Sequence, residues 1–284
     1  MTARTRIRIH ALLGSLPLLV GPLAGCSEDA PGPRIFVFDC GEIRLRDLDG
    51  FGLAEEETPT RELFVPCYLV EHPEGRLLWD AGLPVAMAGE GIVEEPSGAK
   101  LFYERSLVEQ LGDLGLAPAD IERVAFSHMH IDHVGAANLF PHATWLIQRA
   151  EHEAAFAQPV TLDYVDPALY AKLDPARRVL LDGDHDVFGD GSVTILSAPG
   201  HTPGHQVLWV DLRRTGPVLL SGDLYHFRET RALRRVPGFN TDAEATRASM
   251  ERIERILVER EATLWIEHDR GLADTLGLAP SFHD

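Results

Sequence analysis

Apolar positions in this chain come mainly as short runs of strand length. Ile35 to Phe38, Phe64 to Val70 and Leu77 to Trp79 are such runs, and the last leads into the turn Asp80-Ala81-Gly82. The segment from Asp47 to Thr60 is acidic and poor in apolar residues, so it reads as a loop. Leu101, Leu107, Val108, Leu111 and Leu114 recur at helical spacing until Gly115 ends the pattern. Val124 to Ser127, Thr144 to Ile147, Val179 to Leu181, Val193 to Ser197, Val207 to Val210 and Val218 to Leu220 predict further strands, most of them followed by Gly, Asp or His. A helix is predicted from Asp242 to Glu259, opened by a capping box between Thr241 and Glu244, with an apolar face of Ala245, Ala248, Ile253, Ile256 and Leu257. The strand Thr263 to Ile266 then runs into Glu267-His268-Asp269. Strands interleaved with helices from residue 34 to 284 predict one α/β domain with layered sheets.

The N-terminus breaks this pattern. Arg4, Arg6 and Arg8 precede an apolar stretch, Ala11 to Leu23, that is too short and too rich in Gly and Pro to span a bilayer comfortably. Leu23-Ala24-Gly25-Cys26 follows, and the whole resembles a bacterial lipoprotein signal. The resemblance implies cleavage of residues 1–25, lipid on Cys26 and export to a bacterial membrane. Ser27 resembles the outer-membrane sorting pattern of Gram-negative cells, which would put the protein on the periplasmic face of that membrane. A plain signal peptide and a buried N-terminal helix are the alternatives. Residues 26–33, with Pro31-Gly32-Pro33, read as a tether ahead of a domain at 34–284.

Charge narrows the partners. The chain has 44 acidic and 26 basic residues, a formal charge of −18, and loss of the three N-terminal arginines makes the mature chain more acidic still. Such a surface repels nucleic acid, which argues against a nuclease, and it suits a neutral or apolar small molecule. Cys40 and Cys67 lie in or beside predicted strands. An oxidising compartment permits a disulfide between them, and two buried thiols is the other reading.

Chemistry concentrates in Ser127-His128-Met129-His130-Ile131-Asp132-His133, which packs three imidazoles and a carboxylate directly behind an apolar strand. Imidazole nitrogen and carboxylate oxygen are the donors that zinc and its neighbours prefer, and a loop can aim closely spaced side chains at one point. Gly200-His201-Thr202-Pro203-Gly204-His205, Ser221-Gly222-Asp223 and His268 follow other predicted strands in the same way.

These motifs identify the chain as resembling the metallo-β-lactamase superfamily hydrolases, and within them the quorum-quenching N-acyl homoserine lactonases. Val65-Pro66-Cys67-Tyr68-Leu69-Val70, Leu78-Trp79-Asp80-Ala81-Gly82 and Gly204-His205-Gln206 carry the resemblance over nearly the whole mature chain. It implies an αββα sandwich and two divalent metal ions, zinc foremost, with iron, manganese or cobalt as alternatives. His128, His130 and His201 would hold one metal, Asp132, His133 and His268 the other, and Asp223 would bridge them. The implied reaction is opening of a lactone or related ester by a hydroxide held between the metals, with Asp132 and Asp223 also able to relay protons.

One position departs from the family. Its lactonases commonly place a tyrosine three residues after the bridging Asp, whereas here that place is His226 and the tyrosine is Tyr225. His226 donates to substrate, or Tyr225 does after a local shift, or neither reaches it. His205 is expected to hold its turn. His72, His142, His152, His185 and His283 are expected at the surface, and Phe102, Tyr103, Phe156, Tyr164 and Tyr170 mostly in packing rather than in an acyl pocket. The competing functions are a metallo-β-lactamase, against which Asp223 speaks, a thioester hydrolase and a metal-binding lipoprotein without turnover.

Overall fold

The computed structural model describes residues 32–160 and 162–284. The signal-like segment and Cys26 lie outside the described residues. Among the described residues, no helix is long and apolar enough to cross a membrane.

In chain order the strands are β1 (Arg34–Arg44), β2 (Glu62–His72), β3 (Gly75–Trp79), β4 (Ile92–Glu94), β5 (Lys100–Phe102), β6 (Arg123–Ala125), β7 (Thr144–Gln148), β8 (Arg178–Leu181), β9 (His185–Asp186), β10 (Val193–Ser197), β11 (Gln206–Leu212), β12 (Gly216–Leu220), β13 (Thr263–Trp265) and β14 (Phe282–His283). The helices are α1 (Leu107–Asp113), α2 (Ile131–Val134), α3 (Arg149–Ala155), α4 (Arg228–Ala232), α5 (Ala243–Glu259) and α6 (Arg270–Leu276). One sheet runs β4-β5-β1-β2-β3-β6-β7-β8, with β14 on β1, and the other runs β13-β12-β11-β10-β9.

Strand side chains alternate between faces, so each sheet has two apolar surfaces to cover. Ile35, Val37, Val70, Leu77 and Trp79 from the first sheet meet Val193, Ile195, Leu208, Val210 and Leu220 from the second. The other face of the first sheet, with Phe36, Phe38, Leu69 and Val124, packs on Leu107 and Leu111 of α1 and Ala155 of α3. The outer face of the second sheet, with Leu196, Val207, Trp209 and Leu219, packs on Met250, Ile253 and Leu257 of α5. Helix, sheet, sheet and helix are thus stacked as the expected αββα sandwich.

Several local expectations change. The cap of α5 is Asp242, whose Oδ1 accepts from the backbone N–H groups of Glu244 and Ala245, both at 2.9 Å. Thr241 lies one residue too early, and its N–H donates to the carbonyl of His201 at 3.0 Å rather than to Glu244. The buried face of α5 is Thr246, Ser249, Met250, Ile253 and Leu257, not the alanine-led face. Ser249 Oγ donates to the carbonyl of Pro199 at 2.7 Å, so the loop carrying His201 sets the rotation of the helix. Leu101 sits in β5, paired with Ile43 of β1, and α1 starts only at Leu107, opened by the Ser106–Glu109 capping box. The acidic segment from 47 to 60 is irregular, as expected, yet its apolar residues Leu48, Phe51 and Leu53 are buried with Leu63 and Phe227.

Of the histidines expected at the surface, only His142 is fully exposed. His72 stacks on Phe188 at 4.1 Å, His152 stacks on Phe156 at 4.6 Å, and His283 donates to the carbonyl of Leu276 at 2.7 Å. An imidazole has apolar faces and polar edges, so half-burial against an aromatic ring suits it. Tyr103 and Tyr170 are core residues: the Tyr103 hydroxyl accepts from Leu107 N–H, and the Tyr170 hydroxyl donates to the Ala155 carbonyl.

Cys40 and Cys67 form a disulfide across β1 and β2, with Cα atoms 5.8 Å apart. Gly82 follows β3 with φ +63°, and any side chain there would collide with Cys40 Cβ at 2.2 Å. The cross-link closes a loop of 27 residues. Replacing both cysteines by serine is expected to cost about 3 kcal/mol, read by denaturant unfolding under oxidising conditions. Equal stability of variant and parent would show that the cross-link contributes nothing.

Candidate metal centre

The strands deliver the predicted donors to one end of the sandwich. β3 and β6 lie parallel and end together, with Trp79 beside Ala125, and β12 and β13 do the same, with Leu220 beside Trp265. The segments that follow carry Asp80, His128 to His133, Asp223 and Glu267-His268. His201 comes from the β10–β11 connection on the same rim. His128 and His130 lie in the loop after β6, as expected. Asp132 and His133 instead fall on the single turn of α2, whose cap is His130.

Two groups of donors result. The donor atoms of His128, His130, His201 and Asp223 lie within 4.8 Å of one another, and so do those of Asp132, His133 and His268. Asp223 faces both. Its Oδ2 is 3.2 Å from His201 Nε2 and 3.5 Å from His128 Nε2, while its Oδ1 is 2.9 Å from His268 Nε2 and 3.3 Å from His133 Nε2. Asp132 Oδ2 lies 3.7 Å and 3.8 Å from the same two rings of the second group.

The remaining ring nitrogens show what these donors suit. His133 Nδ1 lies 3.1 Å from Asp80 Oδ2, His201 Nδ1 lies 3.0 Å from Asn240 Oδ1, and His268 Nδ1 lies 2.7 Å from the Phe64 carbonyl. Each of those acceptors takes an N–H, which leaves the Nε2 lone pair of each ring facing inward. His201 Nε2 also lies 3.1 Å from His128 Nε2 and 3.3 Å from His130 Nδ1. Ring nitrogens gathered at such distances suit a shared cation, and the buried His133 Nε2 has no hydrogen-bond partner. The N/O donor set fits divalent zinc or its neighbours.

Electrostatics agree with cation binding. Burial and the neighbouring imidazoles hold His128 and His130 well below their ordinary values, so both rings are neutral and able to ligate. Burial by itself would raise Asp223, but His226, His133, His268 and His128 around it outweigh that and keep it ionised.

Residues that sequence reasoning passed over hold the donors in place. Asp80 accepts from Ser127 N–H at 2.6 Å while its other oxygen holds His133. Glu151, buried on α3, accepts from Met129 N–H and from Gly204 N–H, tying the two ligand-bearing loops together. Asn240 links His201 to Thr246 of α5. Glu267 is buried beside Asp80 and His133, and burial, then the charge of Asp80, raise it well above the usual carboxylate range. A lone acidic residue gives no sequence signal of such a role. For Asp80 and Glu267, the position directly after a strand was the available clue. His205 holds its turn as expected: one ring nitrogen meets the Ala198 carbonyl and the other accepts from Asp223 N–H at 2.9 Å. Gly222, at φ +46°, lets this turn pack against His205 and Ser127, since a Cβ there would lie 2.7 Å from each of them.

The structure separates the two alternatives after Asp223. His226 is 3% exposed, with Nε2 3.0 Å from Asp223 Oδ2 and Nδ1 without a partner. Its ring lies 5.1 Å from Phe51 and 5.7 Å from Phe239, and it stacks parallel to His268. Tyr225 points elsewhere: its hydroxyl donates to Glu254 of α5 at 2.9 Å and its ring lies in the core under that helix. Alternation along an extended backbone sends neighbours to opposite sides, which corrects the placing of Tyr225 among the site residues. Tyr164, 60% exposed, stands at the rim, 5.7 Å from His130 and 6.1 Å from Phe239.

This fold and this donor set define a metal-dependent hydrolase, and the chain belongs to the metallo-beta-lactamase superfamily, which it matches over residues 60–261. Among its relatives is the N-acyl homoserine lactonase AttM of Agrobacterium fabrum, 32% identical over 263 residues, covering 88% of this chain and 98% of that protein. An N-acyl homoserine lactonase from a Bacillus species is 32% identical over 231 residues, covering 78% of this chain and 88% of that one. The solved structure of a quorum-quenching N-acyl homoserine lactone hydrolase superposes with a TM-score of 0.76 at 24% identity, covering 89% of this chain and 99% of the other.

Proposed function

We propose that the protein is a binuclear metal-dependent lactonase acting on N-acyl homoserine lactones or related lactones and esters. The observation that carries this is Asp223, whose two oxygens face two separate groups of imidazole donors. Two bound divalent ions would supply a water nucleophile at neutral pH and a Lewis acid for the carbonyl. His128, His130 and His201 would hold one ion, Asp132, His133 and His268 the other, with Asp223 between them. Asp132, whose side chain is 14% exposed, is the carboxylate open enough to carry a proton to or from the reacting oxygens. Burial keeps His226 below its ordinary value, so its ring is neutral, and its Nε2–H points at Asp223 Oδ2, where a substrate oxygen bound beside that carboxylate would share it. Phe51, Phe239 and Tyr164 give an acyl chain an apolar rim.

The ligand set also supports lactone over lactam as substrate. An alkoxide leaving group can settle on a metal directly, whereas the nitrogen of an opened lactam needs a proton in step with cleavage. The metal-loaded protein is therefore expected to open acyl homoserine lactones, or γ- and δ-lactones, faster than penicillins or carbapenems on matched panels. Lactam turnover exceeding lactone turnover would overturn the assignment.

Export and lipid anchoring through Cys26 belong to the same proposal. The signal-like sequence supports them, as does the Cys40–Cys67 disulfide, which suits an oxidising compartment. Cys26→Ser is expected to abolish acylation and release the protein from membrane fractions, and unchanged processing and fractionation would refute the anchor.

A further inference from the structure

A cavity of about 760 Å³ opens between α4 and the middle of α5, where Tyr225 rather than His226 is in its lining. Its charged lining is Arg228, Arg231, Arg234 and Arg247 against Glu251 and Glu254, a basic balance in a chain of formal charge −18. Two of the guanidiniums are committed. Arg231 grips Glu254 with two hydrogen bonds, at 2.7 and 2.9 Å, and Arg228 pairs with Asp269. Among the described residues, Arg234 and Arg247 form no ion pair, and neither does Glu251. The uncommitted charge of the cavity is therefore one net positive. Its floor is apolar: Tyr225, Met250 and Ile266 are all less than a tenth exposed. Arg234 also adopts a left-handed backbone, φ +51°, a conformation that costs energy for a side chain of this kind.

We propose that this cavity is a second binding site, for a small-molecule monoanion with an apolar body, namely a single-chain carboxylate of medium length. The volume is that of a small-molecule site, and a concave pocket of this size favours a soluble ligand over a flat membrane surface. The planar guanidiniums of Arg234 and Arg247 match a carboxylate, and the net charge of one calls for a single negative charge rather than a phosphate dianion. Tyr225 and Ile266 receive the alkyl chain. The site is independent of the lactonase reading, since none of its lining residues is a proposed ligand.

Decanoate is the probe. Calorimetric titration of the metal-loaded protein is expected to show saturable binding that weakens about tenfold or more in the double variant Arg234→Gln/Arg247→Gln, with melting temperature and metal content unchanged. Decanol and decyltrimethylammonium are expected not to bind there. Absence of saturable decanoate binding overturns the proposal, and so does equal binding to parent and double variant, which would put the carboxylate on the metal centre. Equal affinity for decanol overturns it as well. Sedimentation with phosphatidylglycerol vesicles that depends on the two arginines, without a matching loss of decanoate binding, would assign the cavity to lipid and also overturn it.

Discussion

Asp223→Ala is expected to lower the metal content of the purified protein from the proposed two ions per chain to one or none, and to reduce lactone turnover by at least about 10³-fold. The reason lies in how many contacts converge on one carboxylate. Oδ2 lies 3.2 Å from His201 Nε2 and Oδ1 lies 2.9 Å from His268 Nε2, so truncation takes an anionic donor from both groups at once. The side chain is 5% exposed, and water cannot readily replace it in the same geometry. What remains is a set of buried imidazoles with only Asp132 as an anionic donor. His128→Ala should act more narrowly, emptying the first group while leaving Asp132, His133, His268 and Asp223 in place. Elemental analysis and initial rates on the same preparations make the comparison. An Asp223→Ala protein that keeps two ions and a near-parental rate would refute the shared-carboxylate reading.

His226→Ala is expected to lower the lactone rate by about 10²-fold, the usual effect of removing one hydrogen-bond donor from a developing oxyanion. The ring is fixed between Phe51 and Phe239, so its N–H beside Asp223 Oδ2 is already oriented before substrate arrives. Metal content should stay at the parental level, because the ring is outside both donor groups. Tyr225→Phe should leave kcat/KM within about twofold, since its hydroxyl serves Glu254 on the opposite side, and it should instead cost on the order of 1 kcal/mol of stability. A silent His226→Ala would remove the donor role. A rate loss in His226→Ala that is matched by loss of metal would recast the residue as a support for the ligands.

How far the sequence reached depends on how local the governing physics is. The layered α/β architecture was legible because runs such as Val193 to Ser197 and Val218 to Leu220 are buried on both faces, and strands of that kind need little context to identify. The short strands Ile92–Glu94 and Lys100–Phe102 were not, because three residues carry no period: Lys100–Phe102 is a strand through its pairing with β1, and Ile92–Glu94 through its pairing with Lys100–Phe102. The helix Ala243–Glu259 was expected at nearly its observed length, yet its rotation and its cap were decided by contacts with the loop holding His201.

The candidate donors were legible in the sequence. His128, His130, Asp132 and His133 are dense along the chain, and His201, Asp223 and His268 each follow a strand end. Only the tertiary structure decided which of them share a point in space, since residues from 128 to 268 meet where the ends of β3 and β6 in one sheet are packed against those of β12 and β13 in the other. It also turned Tyr225 away from the donors and His226 toward them, because one step along an extended backbone turns a side chain to the other face of the layer. Asp80, Glu151 and Asn240 were hidden for a related reason. Their role lies in the hydrogen bond each makes to a distant loop, and a hydrogen bond between residues 53 or 39 positions apart leaves no mark on the local pattern.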